Sequence, residues 1–482
     1  MPEGTHPQLP SGEHSPLSTL SQSFSFHSSP ESFLASRAPR AAARSTLEDE
    51  VFRHKQSVIR ARILNRNVAI VTSRQLCEAI LHAGSGDHQT AVTAASKGET
   101  IGPHSFAACP AYHELMAPFF PAPNILLMDF PDHKAKREAW NAQLASFPSA
   151  SSAMIREIVN DHIGNWAHGS TIDLYDSMKD LSWRVLLGTF LQLGPADKTY
   201  SEIATLQETL LRGQFSLFPG SVNTPFWQSP RAKAIKARAK LQTLLKDRIL
   251  SQEKDCPFLR LGKVNDDEIA SNALLFTSSI AVKALASLLT ASLLNLFLLP
   301  CEPSLASRVR AESSTNRHIL LNSILLETER LSPPVVGIMR RAQQDIILTS
   351  ADSRPPVLIP SGWDVWLYFM GAGRDKDAYE LADTFVPERF IAPDATYPGF
   401  AFGSGSKTCL GQPITRQVIN IVATTILDAD IRLEGSVIAE GIRGWLGWDH
   451  NVSVEAFARD LKQLPCQRPK EAIQLRVCRE RK

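Results

Sequence analysis

Apolar positions along this chain recur in two rhythms, and the point where one gives way to the other divides it. "VAIVTSRQLCEAIL" (residues 68–81) begins with consecutive apolar residues and continues at helical spacing, which predicts a short strand followed by a helix. Residues 150–300 carry Leu and Ala at helical spacing almost throughout, predicting a series of long helices. Beyond Pro333 the rhythm shortens. "VVGIMRRAQQDIIL" (335–348) and "PPVLIPSGWDVWLYF" (355–369) read as short strands broken by Pro, Gly and Asp turns. No Ser-, Gly- or Pro-rich linker interrupts residues 51–482. The pattern predicts one large domain over 51–482, mainly α with a minor β-sheet region.

Residues 1–50 follow neither rhythm. "HPQLPSGEHSPLSTLSQSFSFHSSPESF" (6–33) is rich in Ser, Pro and His and holds too few apolar residues to build a core. It contains no secretory apolar segment and no membrane helix. Arg37, Arg40 and Arg44 among serines resemble a transit peptide, but Glu3, Glu13 and the lack of an amphipathic run oppose that. Residues 1–50 are expected to be a flexible leader.

The most apolar stretch, Asn272 to Pro300, carries a single charge, Lys283. A bilayer needs roughly 20 apolar residues, so length alone permits a span. Serines and threonines interrupt the stretch, and Asn265 with Glu268 three residues later has the form of a capping box at its start. A helix running through the middle of a large domain is apolar on all sides for the same reason. The stretch is expected to be one continuous central helix, and no transmembrane anchor is predicted.

Composition narrows the setting. Lys and Arg number 51 against 49 Asp and Glu, a net charge of +2, which gives no footprint for nucleic acid. Seven cysteines, odd in number and scattered, form no spaced pairs. That argues against a disulfide framework or a zinc site and for a reducing compartment, with most of the seven buried as small hydrophobes. A cytoplasmic or peripherally membrane-associated monomer is expected.

One segment departs from this plain picture. In "FGSGSKTCLG" (402–411) three glycines surround Cys409, and a helical run follows. A cysteine just before a helix has its thiolate stabilised by free amide groups, and glycines permit sharp turns and close approach to a flat group. Such a loop suits a sulfur ligand to a metal held against a cofactor face. A buried structural cysteine in a glycine-rich turn is the alternative.

With its neighbours, the segment resembles the cytochrome P-450 family of haem-thiolate enzymes. Phe402, Gly405, Cys409 and Gly411 match every fixed position of the family's F-x-x-G-x-x-x-C-x-G signature, and Lys407 holds the customary basic position. Upstream, "ETER" places Glu327 and Arg330 three apart on one helix face, closed by Pro333 and Pro334. "TFVPERF" supplies Arg389, the third member of the family's Glu-Arg-Arg cluster. "DFPDHKAKREAW" (129–140) resembles the helix whose His and Arg grip a haem propionate, here His133 and Arg137. Arg340, with Arg341 beside it, holds another propionate position.

The resemblance implies a haem b with Cys409 as its iron ligand and a hydrophobic small-molecule substrate, such as a secondary metabolite or lipid. It also implies electrons from NADPH through a cytochrome reductase partner. The distal pocket is expected around Thr277 to Ala281, Val335, Val336 and Phe457 to Leu464. At the central helix the chain departs from the family's acid–threonine pair. Aligning "LLF" (274–276) with the usual lead-in puts Ile280 at the acid position and Ala281 at the threonine position. Thr277 and Ser278, with Ser279, lie a turn earlier and are candidate substitutes. Positioned proton transfer is worth roughly 10²–10⁴-fold in rate, so the loss favours an oxygen-independent, peroxide-using or substrate-assisted reaction such as isomerisation, cyclisation or dehydration. A reductase-dependent monooxygenase is the alternative, and a non-catalytic haem-binding protein a third reading of another class.

Overall fold

The computed structural model describes residues 57–479 apart from 438–460 and several shorter loop segments, so the expected leader at 1–50 lies outside the described residues. Two strands, β1 (Val58–Ile63) and β2 (Arg66–Val71), precede α1 (Arg74–Leu81); the sequence pattern predicts β2 and α1 but not β1. Next come β3 (Val92–Ala94), β4 (Phe106–Ala107) and α2 (Cys109–Met116). A helical run follows, interrupted by the short strand β5 (Thr171–Asp173). It comprises α3 (Asp132–Leu144), α4 (Phe147–Gly164), α5 (Leu174–Leu191), α6 (Lys198–Gln214) and α7 (Pro230–Ser251). Four more helices complete it: α8 (Asp266–Phe276), α9 (Ser279–Leu298), α10 (Leu305–Ala311) and α11 (Ser314–Leu331).

Beyond Pro333 the strands β6 (Gly337–Ala342), β7 (Ile346–Leu348), β8 (Val357–Ile359) and β9 (Asp364–Tyr368) replace helices. The chain closes with α12 (Gln412–Asp428), β10 (Ile431–Val437), β11 (Leu461–Lys462), β12 (Arg468–Pro469) and β13 (Ile473–Arg479). The largest sheet has the order β1-β2-β9-β6-β4, with β2 parallel to β9 and the other pairs antiparallel. Every residue of β9 is buried, so Val365 to Tyr368 show none of the alternation of a half-exposed strand, and its one charge, Asp364, is paired with Arg341. The fold is mainly helical with small sheets, as expected.

Helix α9 sits at the centre, in contact with α5, α6, α10, α11 and α12. Among the described residues it alone is long and apolar enough to cross a membrane, yet most of it is buried inside the protein. Its all-round apolarity therefore belongs to a core helix. Two expectations about this region need correcting. The stretch from Asn272 to Pro300 is not one helix, because α8 ends at Phe276 and α9 begins at Ser279. Ser278 restarts the helix by accepting a hydrogen bond from the Ala281 amide at 3.2 Å, an N-cap that competes with continuing the previous turn. The capping box at α8 is only half formed. Asn265 accepts from the Glu268 amide at 2.9 Å, but the Glu268 carboxylate turns to Trp140 Nε1 and Lys136.

The cysteines also differ from expectation. All seven are free, but only Cys77, Cys256 and Cys466 are buried, while Cys409 is exposed.

Candidate functional site

Cys409 ends a tight loop held by its own backbone. The Cys409 amide donates to the Phe402 carbonyl at 2.8 Å and the Thr408 amide to the Gly405 carbonyl at 3.2 Å. Gly403 and Gly405 both have φ of +68°, the left-handed region that favours glycine. Gly405 has a second reason to be glycine: a Cβ there would lie 2.2 Å from the Leu81 carbonyl oxygen at the end of α1. Gly405→Ala should therefore push the loop off α1, beyond the roughly 1–3 kcal/mol that the backbone conformation alone costs. We expect a lowered melting temperature and weaker cofactor retention; a variant with normal values for both would show that the loop tolerates the displacement.

The sulfur itself is exposed, yet protein surrounds it closely enough that burial pushes its pKa up. An open sulfur with dense surroundings describes the wall of a cleft. The amides of Gly411 and Gln412 and the nearby Arg137 pull in the opposite direction. The expectation of a thiolate stabilised by the helix start is thus only partly met: the donors are present, but desolvation outweighs them in the free thiol.

Basic side chains converge beside the loop. Burial is the main reason the His133 pKa falls to about 4, and Lys407, Arg137 and Arg340 lower it further. Burial likewise lowers the pKa values of Arg340 and Lys407. Of the neighbouring pair, Arg340 lies in this cluster, whereas Arg341 pairs with Asp364 at 2.8 Å. Asp129 is a carboxylate close to all three. It sits 3.2 Å from Lys407 but already accepts the amides of Ala108 and Cys109 at 3.1 and 2.7 Å. A cluster this poor in negative charge beside an open sulfur fits a flat group that carries carboxylates at one edge and a thiolate-seeking metal at its centre. Cys409, His133, Arg137, Arg340 and Lys407 could hold such a group.

Glu327, Arg330 and Arg389 come together in the structure. Arg330 reaches Glu327 through Nε and Nη2, both at 2.7 Å, and its Nη1 donates to the Gly373 and Ala382 carbonyls, both at 2.6 Å. Arg389 Nε adds a bond to Glu327 at 3.1 Å, and both arginines lie over the Tyr379 ring. A brace between this cluster and the cysteine loop is not evident from spacing. Buried Glu329 receives Arg416 at 2.8 and 2.6 Å, and Arg416 lies over the Phe402 ring. A gap of 87 residues separates the pair, so no local pattern signals it.

At the distal helix, Ile280 and Ala281 are half-buried on the first turn of α9, as is Val335 after the prolines; Val336 is fully buried. Thr277 donates to the Ala273 carbonyl at 2.7 Å and Ser278 caps α9. Lys283, the single charge of the apolar stretch, is buried and paired with Glu208 at 3.0 Å. Of the expected lining at 457–464, only Leu461 and Lys462 fall among the described residues, as strand β11.

The family model "Cytochrome P450" matches residues 296–429. A protein of Synechocystis sp. described as a cytochrome P450 is 27% identical over 56% of this chain and 64% of its own length. Ferruginol synthase 1 of Rosmarinus officinalis is 30% identical over 29% of this chain and 28% of its own, and steroid 21-hydroxylase of Sus scrofa is 34% identical over 23% and 21%. The matches thus span less than two thirds of these relatives. A solved cyanobacterial cytochrome P450 with retinoic acid bound superposes with a TM-score of 0.66 at 20% identity, covering 90% of this chain and 94% of that one. The haem domain of another cytochrome P450 gives 0.64 at 15% identity over 92% and 94%. The chain has the fold of the cytochrome P450s, and its residues 296–429 match that family's model. The fold implies haem.

Proposed function

We propose that this chain is a haem-thiolate enzyme that binds one haem b through Cys409 and transforms an apolar small molecule without reductive oxygen activation. A haem held by the Cys409 thiolate would supply electron-rich redox chemistry to the bound molecule. The protein's part is to bind, orient and exclude water. Cys409 contributes the ligand, and Arg137, Arg340, Lys407 and neutral His133 hold the propionate edge. Apolar relatives' substrates and the retinoic acid of the solved neighbour support a hydrophobic ligand here.

The observation that carries the oxygen-independent reading is the start of α9. Ile280 and Ala281 offer no proton there, the Thr277 hydroxyl donates back to the Ala273 carbonyl, Ser278 Oγ accepts the Ala281 amide, and buried Ser279 lies beside the Glu208 carboxylate. A second reading, reductase-dependent monooxygenation with NADPH as electron source, is favoured by one feature: Glu208 links Lys283 to half-exposed Lys179, a charged path from solvent to this turn.

The experiment separates the two. A compound that shifts the haem spectrum is incubated with purified holoprotein, with and without oxygen, NADPH and a cytochrome reductase. Turnover under anaerobic, reductase-free conditions is expected. The double substitution Ile280→Glu with Ala281→Thr then brings no gain, since a buried carboxylate costs free energy unless paired. Product formed only with oxygen and reductase, with better electron coupling in the double variant, would sink the oxygen-independent reading.

A further inference from the structure

A second charged cluster, half-buried apart from Lys283, lies where α5, α6, the first turns of α9 and the C-terminal strands meet, and the haem-holding residues do not use it. Lys283 Nζ of α9 lies 3.0 Å from Glu208 Oε2 of α6, and Lys179 Nζ of α5 approaches the other oxygen at 3.8 Å. The segment leading into β12 closes on the same place. Cys466 Sγ lies 3.7 Å from the Ile280 carbonyl, and the Gln467 amide donates to the Pro334 carbonyl at 2.8 Å. This brings Arg468 near enough to Lys283 for the two cations to disfavour one another.

The cluster is unbalanced. Lys179, Lys283 and Arg468 set three positive charges against the negative charges of Glu208 and, beside Tyr175, Asp176. Among the described residues, no carboxylate lies within ion-pair distance of Arg468, and its buried Nε has no hydrogen-bond partner. Tyr175, at the start of α5 and only 8% exposed, likewise has a buried hydroxyl without a partner, and it senses both Arg468 and Glu208. Leaving a buried donor unpaired costs about 1–3 kcal/mol. A water molecule would satisfy such donors but would leave the excess positive charge; an anion with acceptor oxygens does both. The apolar, half-buried Ile280, Ala281 and Val335 border the same segment.

Building on the haem-enzyme reading above, we propose that the substrate is an apolar carboxylic acid. Its carboxylate is received by Arg468, Lys283 and Tyr175, and its hydrocarbon body lies along Ile280, Ala281 and Val335. Arg468 supplies a planar donor fork for the carboxylate, Lys283 a point charge and Tyr175 a neutral donor.

The test uses full-length holoprotein. The reduced CO spectrum of each preparation is recorded first, so that failure of the haem-thiolate reading is seen on its own. Equilibrium dialysis then compares acids with their alcohols in three shapes: dodecanoic acid and dodecan-1-ol, cinnamic acid and cinnamyl alcohol, abietic acid and abietinol. At least one acid should bind tenfold or more tightly than its alcohol. Arg468→Met should abolish most of that preference while leaving alcohol binding unchanged, and Arg468→Lys should keep part of it. Tyr175→Phe should reduce it several-fold. The proposal is overturned if no acid outbinds its alcohol in any pair, a comparison that needs no variant. It is equally overturned if Arg468→Met weakens acid and alcohol alike.

Discussion

Cys409→Ala is expected to abolish the thiolate-type spectrum of the reduced CO complex while leaving most of the helical circular dichroism intact. The loop around residue 409 is closed by backbone hydrogen bonds, Cys409 amide to Phe402 carbonyl and Thr408 amide to Gly405 carbonyl, so the side chain is not what holds it. Removing one sulfur from an exposed position also creates no cavity. The effect is therefore confined to the ligand and amounts to complete loss of the signal. Cys301 and Cys478, half-buried elsewhere, are the controls: their alanine variants keep the spectrum. A Cys409→Ala protein that retained it would assign the ligand to another cysteine.

Glu327→Ala and Arg330→Ala should each cripple folding and cofactor retention far more than they alter turnover per folded molecule. Both side chains are fully buried, and removing one leaves an uncompensated charge in the interior at about 3–5 kcal/mol. That is a large fraction of the 5–15 kcal/mol by which native proteins are stable. Glu327→Ala strands two arginines, and Arg330→Ala also leaves the Gly373 and Ala382 carbonyls without their donor. Arg389→Ala should be milder, because that side chain keeps 13% of its surface exposed, where Arg330 keeps none, and its Nη groups sit near the surface. Soluble yield, denaturant midpoint and haem-to-protein ratio measure the series. Wild-type values for Glu327→Ala would mean the pair behaves as an exposed one.

Much of the site was legible because its geometry is local. The glycines at 403 and 405 and the Glu327–Arg330 spacing each encode a conformation that few neighbouring residues enforce. The i, i+3 relation on a helix brings carboxylate and guanidinium together wherever the helix goes. The order of strands after Pro333 was readable for the same reason, since Pro, Gly and β-branched residues punctuate it directly.

What the chain could not disclose were pairings across long separations and the balance of opposing effects. Lys283 looked like a lone lysine on an apolar helix; its partner Glu208 lies 75 residues earlier on α6. Arg340 and Arg341 are indistinguishable in sequence, and only the sheet decides that one joins the cation cluster and the other reaches Asp364. The break at Thr277–Ser278 was hidden because both residues tolerate a helix interior, and the Ser278 cap competes with continuation only when the surrounding helices favour it. The Cys409 thiol shows the same division. Sequence set the amide donors that favour a thiolate, while folding set the desolvation that opposes them. A buried charge depends on everything packed around it, and that environment exists only once the whole chain has folded.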